Sequence, residues 1–156
     1  MQGEQREVAE HIAEHVTAVP DLGGASARAV YRDLLRFGPR SRRDLTERLG
    51  LSAPTVTRVT RDLLEAGHLH PLDTVALAKG RPQQPLDIEE NHGPRFIGVK
   101  VTADEVHAVV TTARGNALEE LVMPLPDTSA EAVADAVVDP VLALAGAHPH
   151  VAGVGV

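Results

Sequence analysis

The stretch SRRDLTERLGLSAPTVTRVTRDLLEAG, residues 41–67, decides the fold of the first half of the chain. Ser41 and Asp44 have the spacing of a capping box, in which each side chain accepts a hydrogen bond from the amide of the other residue. Gly50 suits the left-handed position that ends a helix, and Ser52 is placed to cap the helix that follows. The stretch therefore predicts two short helices joined by a tight turn.

The neighbouring segments extend this unit to three helices and a hairpin. Before it, Ser26 is predicted to cap a helix whose apolar stripe is Ala27, Val30, Tyr31, Leu34 and Phe37. After it, two short strand-like segments flank a loop. The predicted elements are helices over 27–37, 42–49 and 53–66, the last burying Val56, Val59 and Leu63, and strands over 68–72 and 85–88.

In the second half of the chain the apolar residues alternate with a period of two, which is typical of strands. Thr128 and Glu131 predict a capped helix that runs to about Ala147, and Pro140 must kink or divide it. The predicted strands cover 96–101, 105–112, 117–123 and 151–156, and the last is expected to be buried. The chain is therefore predicted to be α+β.

The charges are segregated along the chain, although the net charge is only −7. Residues 26–86 carry eleven Lys and Arg against six Asp and Glu, which gives this segment a net charge of +5. The flanking segments, 1–25 and 87–156, carry −4 and −8. A basic island between acidic flanks indicates a separate domain with an anionic partner.

The composition excludes several classes of site. The chain has no cysteine, and therefore no disulfides or thiolate metal ligands. Aromatic residues make up only 2%, which disfavours binding of single-stranded nucleic acid by base stacking. No apolar run suits a signal peptide or a membrane span, which predicts a cytoplasmic protein. His11 and His15 match an H-x-x-E-H pattern without a third ligand, so no metal site is predicted.

The second helix of the pair has the features of a DNA-recognition helix. In a helix-turn-helix the second helix lies in the major groove and the first braces it. The side chains predicted to face outwards to DNA are Ser52, Pro54, Thr55, Thr57, Arg58 and Arg61. Arg58 is long enough to read guanine with two hydrogen bonds, whereas Thr60 and Arg61 are predicted to contact phosphates. A three-helix unit that binds another protein is the alternative.

A second DNA contact is predicted in the loop between the two short strands. Gly80 and Pro82 hold Arg81 on a stiffened, extended loop, and Lys79 lies two residues earlier. Such an arginine suits a narrow minor groove, in which negative potential is concentrated. The alternative is a mobile surface arginine. The predicted partner is double-stranded DNA.

Residues 29–86, which begin AVYRDLLRFGPRSRRDLTERLGLSAPTVTRV and end KGRPQQPL, resemble the winged-helix head of ROK family transcriptional regulators, itself similar to the MarR type. The motifs that carry the resemblance are Gly38-Pro39, Leu51-Ser52-x-Pro54-Thr55-Val56 and Gly80-Arg81-Pro82. In this family an actin-like, ribonuclease H-like sugar-kinase domain follows the head. Residues 96–125, FIGVKVTADEVHAVVTTARGNALEELVMPL, resemble the three-strand meander that opens that domain.

The resemblance implies a regulator without kinase activity. Lys100 stands at the position of the Asp in the family's phosphate loop, and a lysine cannot ligate Mg²⁺ as a carboxylate does. The family's catalytic Asp, its sugar-binding Glu and His, and its Cys/His zinc motif would all lie beyond Val156. The expectation is therefore a truncated member with no catalytic residue, cofactor or metal, and with no site for a sugar effector.

The predicted organisation has three parts. An N-terminal helix and linker cover 1–25, a winged helix-turn-helix DNA-binding domain covers 26–90, and a partial actin-like α/β lobe covers 95–156. The predicted function is sequence-specific regulation of transcription, as a repressor, with a homodimer as the form in which such regulators usually read two half-sites. A fragment of a ROK sugar kinase and a protein-interaction winged helix are the alternatives.

Overall fold

The structure, a computed structural model, describes residues 21–76 and 82–156. These residues form two compact units, 21–93 and 94–156. The elements in chain order are α1 (Ala25–Phe37), α2 (Arg42–Leu49), α3 (Ala53–Glu65), β1 (Leu69–Pro71), β2 (Leu86–Ile88), β3 (Arg95–Val101), β4 (Glu105–Thr111), β5 (Ala117–Pro124), α4 (Ala130–Ala147) and β6 (Val151–Gly155). The four helices and two sheets within the described ranges confirm the predicted α+β class. None of these helices is long and apolar enough to cross a membrane.

Three helices in the unit 21–93 share one apolar core, with α1 and α2 both packed on α3. The prediction that α3 buries Val56, Val59 and Leu63 is confirmed. The other buried apolar side chains of this unit are Ala27, Val30, Leu34, Leu45, Leu69, Leu86 and Ile88. Because one face of α3 is committed to this core, its opposite face is left to solvent.

The caps around the tight turn form as the sequence predicts. The Asp44 amide donates to Ser41 Oγ at 3.2 Å, and the Ser41 amide donates to Asp44 Oδ2 at 3.1 Å, which completes the capping box. Gly50 follows α2 with φ 63° and ψ 24°, a left-handed conformation that glycine adopts without steric strain. The Thr55 amide then donates to Ser52 Oγ at 3.3 Å. These local bonds fix the residue at which α3 begins.

The predicted start of α1 is wrong by two residues. The helix begins at Ala25, and the Gly24 carbonyl accepts hydrogen bonds from the amides of Ala27 and Arg28 at 3.0 and 3.1 Å. Gly24 is therefore the N-cap, and it has no side chain with which to cap. Ser26 lies inside the first turn, because the chain has already turned where the Gly23 amide donates to Asp21 Oδ1 at 2.9 Å.

The two serines allow a matched test of the capping box. Ser41→Ala should lower the free energy of unfolding of the unit 21–93 by about 1 kcal/mol, because an orphan helix amide loses its acceptor. Ser26→Ala should change it by no more than a few tenths, because Ser26 caps nothing. Urea unfolding can be followed by the fluorescence of Tyr31, the one tyrosine in a chain without tryptophan. Equal effects of the two substitutions would contradict the assignment of the cap.

A short hairpin completes the unit 21–93. β1 and β2 pair antiparallel, with Leu69 opposite Ile88 and Pro71 opposite Leu86. A further bridge pairs Val75 with Gln83 closer to the loop. On the other side of β2, the amides of Arg40 and Leu86 bond each other's carbonyls at 3.0 and 2.8 Å. The hairpin is thereby attached to the segment between α1 and α2.

The unit 94–156 is a four-stranded sheet in the order β5-β4-β3-β6, with α4 packed on one face. β3 pairs antiparallel with β4 and parallel with β6. The predicted alternation on β4 is confirmed, since Val106, Ala108 and Val110 are buried. They pack with Val141 and Leu144 of α4 in the core of this unit. Lys100 and His107 are opposite one another on β3 and β4.

Three details of the unit 94–156 differ from the predictions. Ser129, not Thr128, caps α4, and the Ala132 amide donates to its hydroxyl at 3.4 Å. Hydrogen bonds from Ser129 lower the pKa of Asp127. Of the two outcomes predicted for Pro140, a kink or a division of the helix, division does not occur, since Pro140 is buried inside one continuous α4. The last strand is buried only at its first residue, because β6 lies at the edge of the sheet.

Candidate nucleic-acid interface

Most of the side chains predicted to contact DNA lie on the outer face of α3 or at its start. Ser52, Pro54, Thr57, Arg58 and Arg61 are exposed, and Thr55 is half-buried. The hydroxyls of Ser52 and Thr55 lie 2.8 Å apart, so the two residues form one polar group at the beginning of the helix. The two arginines are 62% and 64% exposed and can therefore reach a partner. We name these six residues the α3 outer face.

Thr60 does not belong to this surface, contrary to the prediction that it contacts phosphates. Its side chain is completely buried. The Arg42 Nε–H donates to Thr60 Oγ1 at 3.0 Å, and the Thr60 hydroxyl donates to the Thr57 carbonyl at 3.2 Å. Thr60 therefore joins the start of α2 to the middle of α3 and holds the angle between the two helices.

A buried carboxylate that the sequence reading missed braces the same unit. Asp33 lies on α1 and is 7% exposed. The Arg48 Nη2–H donates to Asp33 Oδ1 at 3.2 Å, and Arg40 Nε lies 3.7 Å from Asp33 Oδ2. A buried charge needs such partners because desolvation of a lone carboxylate is unfavourable. The signal in the sequence was an acidic residue directly beside Leu34 of the apolar stripe.

Phe37 was predicted to be part of the buried stripe of α1, but it is 52% exposed. The Arg48 guanidinium lies 4.8 Å from the centroid of its ring, and the Arg36 guanidinium lies 5.4 Å from it. Two cations against one aromatic ring form cation–π contacts. The guanidinium groups of Arg36 on α1 and Arg48 on α2 are thus held against the Phe37 ring at the surface.

The α3 outer face is not uniformly basic, because two acidic residues follow its arginines. Arg58 Nη1 lies 3.4 Å from Asp62 Oδ2, and Arg61 Nη2 lies 3.1 Å from Asp62 Oδ1. Arg61 Nε also lies 3.7 Å from Glu65 Oε1. Asp62 and Glu65 stand in the carboxyl-terminal part of α3 beside Arg61, so the amino-terminal half of the helix carries the exposed Thr57 and Arg58 but no acidic residue. The sequence pattern of a DNA-recognition helix concerns hydrogen-bond donors, so it gave no signal for Asp62.

The predicted contacts of the loop fall outside the described residues. Lys79 and Arg81 lie in the segment 77–81, and the H-x-x-E-H histidines His11 and His15 lie before residue 21. What the structure describes is the stem of this loop, where the Val75 and Gln83 amides and carbonyls bond each other at 2.8 and 3.0 Å. In the part of the chain that is described, no group of three or more His, Asp or Glu side chains could hold a metal ion.

Comparison with known proteins bears on what this arrangement does. No family model matches the chain. It is 28% identical over 125 residues to the DNA-binding transcriptional dual regulator NagC of Escherichia coli K12, and 31% identical over 121 residues to a transcriptional regulator of Mycobacterium bovis. Its fold is similar to that of a crystal structure of a ROK family transcriptional regulator, a homologue of the E. coli MLC protein, with TM-score 0.55 and 22% identity. The predicted resemblance to ROK family transcriptional regulators is confirmed.

The similarity to ROK regulators covers most of this chain but only part of theirs. The matched residues make up 80% and 76% of the chain in the two sequence comparisons and 83% in the structural one. The chain spans only 30% and 27% of the two curated relatives and 33% of the structural one. What it shares with the ROK regulators is therefore about a third of their length.

Proposed function

We propose that the chain is a sequence-specific DNA-binding transcriptional regulator of the ROK type, and that residues 26–90 form its winged helix-turn-helix domain. The observation that carries this proposal is the α3 outer face. It presents exposed hydroxyls and two exposed arginines on a helix whose other face is fixed in the core. A helix of about this width fits the major groove of B-DNA.

The order of groups along α3 suits entry of its amino-terminal end into the groove. Short hydroxyls at Ser52, Thr55 and Thr57 come first and are suited to phosphates and base edges. Arg58 follows and has the reach to bond O6 and N7 of guanine together. Arg61 lies almost one turn further along and is assigned to the backbone phosphates. The fixed crossing of α2 and α3 at the Arg42–Thr60 hydrogen bond supports this docking.

The loop between β1 and β2 is assigned as the wing. Its described stem is an antiparallel hairpin that is bonded to the segment between α1 and α2. A hairpin in this position can carry Arg81 and Lys79 to the minor groove beside the major groove that α3 occupies. This assignment gives the domain two contacts with the same duplex, on either side of the phosphate backbone.

Residues 95–156 are assigned as part of an actin-like lobe that has no sugar-kinase activity. The sheet order and the helix on one face are compatible with the start of such a lobe. Lys100 is exposed on β3 and lies opposite His107. It stands at the position assigned to the family's metal-binding Asp, and a cationic side chain there does not ligate Mg²⁺. The matches to transcriptional regulators agree with a regulatory rather than an enzymatic role.

Repression is proposed as the mode of regulation, with a homodimer as the form that reads two half-sites. Among the relatives, one is named a transcriptional dual regulator and others of the same identity are named N-acetylglucosamine repressors. A repressor acts by occupying its operator, and the DNA contacts proposed above all belong to residues of the unit 21–93. None of the described residues is assigned to an effector sugar.

The proposal is tested by selecting duplexes from a random-sequence pool with the 156-residue chain. The selected duplex should bind about 10³-fold or more tightly than a shuffled duplex of the same composition near physiological salt. Log Kobs for both should fall linearly with log salt concentration, with a slope of about −0.9 for each phosphate contacted. Equal affinity for the selected and shuffled duplexes, or affinity that does not depend on salt, would contradict the proposal.

A further inference from the structure

One carboxylate is shared by both arginines of the α3 outer face. Arg58 Nη1 approaches Asp62 Oδ2 at 3.4 Å, and Arg61 Nη2 approaches Asp62 Oδ1 at 3.1 Å, so each oxygen has its own arginine. Asp62 thus bridges the two arginines with a single carboxylate. No other acidic side chain within the described residues is paired with Arg58.

These ion pairs contribute little to folding. The side chains of Arg58, Arg61 and Asp62 are 62%, 64% and 48% exposed, and exposed pairs are weak because water and salt screen them. Arginine also precedes aspartate on the helix, which is the less favourable order for a pair four residues apart. The packing of α3 therefore does not account for an acidic residue at this position.

The pairing acts differently on the two ways in which an arginine can bind DNA. A guanidinium has five N–H donors, and bidentate reading of guanine uses two of them. A third can stay on Asp62, so Arg58 can read a base while Asp62 holds it in place. If Arg58 instead turns away from Asp62 to a phosphate, Asp62 keeps only its contact with Arg61 and lies close to the negative backbone, and like charges repel each other.

We infer that Asp62 is a specificity-determining residue, which positions Arg58 for base reading and penalises its capture by phosphates. This inference rests on the proposed function. It predicts that Asp62 makes binding to arbitrary DNA weaker without weakening binding to the correct site in proportion. Discrimination of this kind, by an element that opposes the wrong partner, is a general route to specificity.

The chain offers a matched control for the loss of one negative charge. Glu65 lies on the same helix and is 3.7 Å from Arg61 Nε, and the structure gives it no contact with Arg58. Asp62→Asn and Glu65→Gln each remove one charge close to the duplex, so both should raise the affinity for any DNA. Only Asp62→Asn also releases Arg58. Asp62→Glu keeps the charge and, with a side chain one methylene longer, can still pair with Arg58.

The experiment measures binding of the four chains to the selected and to the shuffled duplex at the same salt concentration. Asp62→Asn should raise affinity for the shuffled duplex and lower the ratio of selected to shuffled affinity by about three- to fivefold. Glu65→Gln should raise both affinities and leave the ratio unchanged, and Asp62→Glu should retain the wild-type ratio. Tyr31 fluorescence in urea should show that all three variants fold as the wild type does.

The results separate this inference from the proposed function. If the wild-type chain does not prefer the selected duplex, the proposed function fails and the role of Asp62 fails with it. If the wild type does prefer it but Asp62→Asn leaves the ratio unchanged, or lowers it no more than Glu65→Gln does, only the role of Asp62 is overturned. In that case Asp62 would be one of several equivalent surface charges.

Discussion

Replacement of Arg58 by alanine is expected to lower the affinity for the selected duplex by about 5- to 150-fold, the equivalent of about 1–3 kcal/mol. The reason is that Arg58 is assigned to a bidentate contact with one guanine, which no neighbouring side chain can replace. Affinity for the shuffled duplex should change much less. Preference at a single base pair should be lost, while preference at the other positions is kept.

The measurement is a set of binding curves for the selected duplex and for its single-base variants. Arg61→Ala is the control, since Arg61 lies on the same helix with nearly the same exposure. Because Arg61 is assigned to a phosphate, the Arg61→Ala substitution should weaken binding to all duplexes alike and reduce the magnitude of the salt slope by about 1. If Arg58→Ala weakens binding uniformly, as expected for Arg61→Ala, then Arg58 does not read a base.

The largest effect on stability is expected from Leu45→Ala. Leu45 is the buried apolar residue of α2 and is completely shielded from solvent. Truncation removes buried methyl groups and leaves a cavity, which should lower the free energy of unfolding of the unit 21–93 by about 2–5 kcal/mol. DNA binding should fall with the folded fraction, because α2 braces α3.

Urea unfolding followed by Tyr31 fluorescence reports this change, since Tyr31 lies in α1 of the same unit. Leu49→Ala makes the same chemical change on the same helix at a half-buried position. It should cost less than half as much, because part of the Leu49 side chain is already in water. A cost as large as that of Leu45→Ala would contradict the assignment of the core.

Local chemistry made much of the unit 21–93 predictable from its sequence. Ser41 and Asp44 bond over three residues, and Gly50 adopts its left-handed conformation whatever lies further along the chain. The start of α1 was harder, because Gly24 caps through its carbonyl and leaves no side-chain signal. Ser26 has the side-chain chemistry of an N-cap, but the N-cap is Gly24, two residues earlier.

The errors at the candidate interface have a common physical cause. Thr60 lies four residues after Val56 and three before Leu63, so the helical period of 3.6 places it on the buried face of α3, and only its polar side chain suggested the outer face. Phe37 was expected in the core because it is apolar, whereas two arginines hold it at the surface. In both cases the polarity of the side chain alone indicated the wrong side, because Arg42 bonds the buried Thr60 hydroxyl and Arg48 lies against the exposed Phe37 ring.

In the unit 94–156, local periodicity again predicted which side chains of a strand are buried, but it did not predict where each strand lies in the sheet. Alternation on β4 gave its buried face correctly, because the period of a strand is fixed by the backbone. The order of the strands places β6 at the edge of the sheet, and so only Val151 of that strand is buried. An apolar strand has the same sequence pattern whether it lies at the centre or at the edge of a sheet.

The central claim is that the α3 outer face is the surface that meets DNA, and mapping by NMR tests it most directly. The 16.5 kDa chain can be labelled with ¹⁵N and titrated with the selected duplex. We expect the largest amide shift changes over residues 52–61, with small changes over 117–124 of β5. Changes concentrated in 94–156, with residues 52–61 unmoved, would contradict the claim.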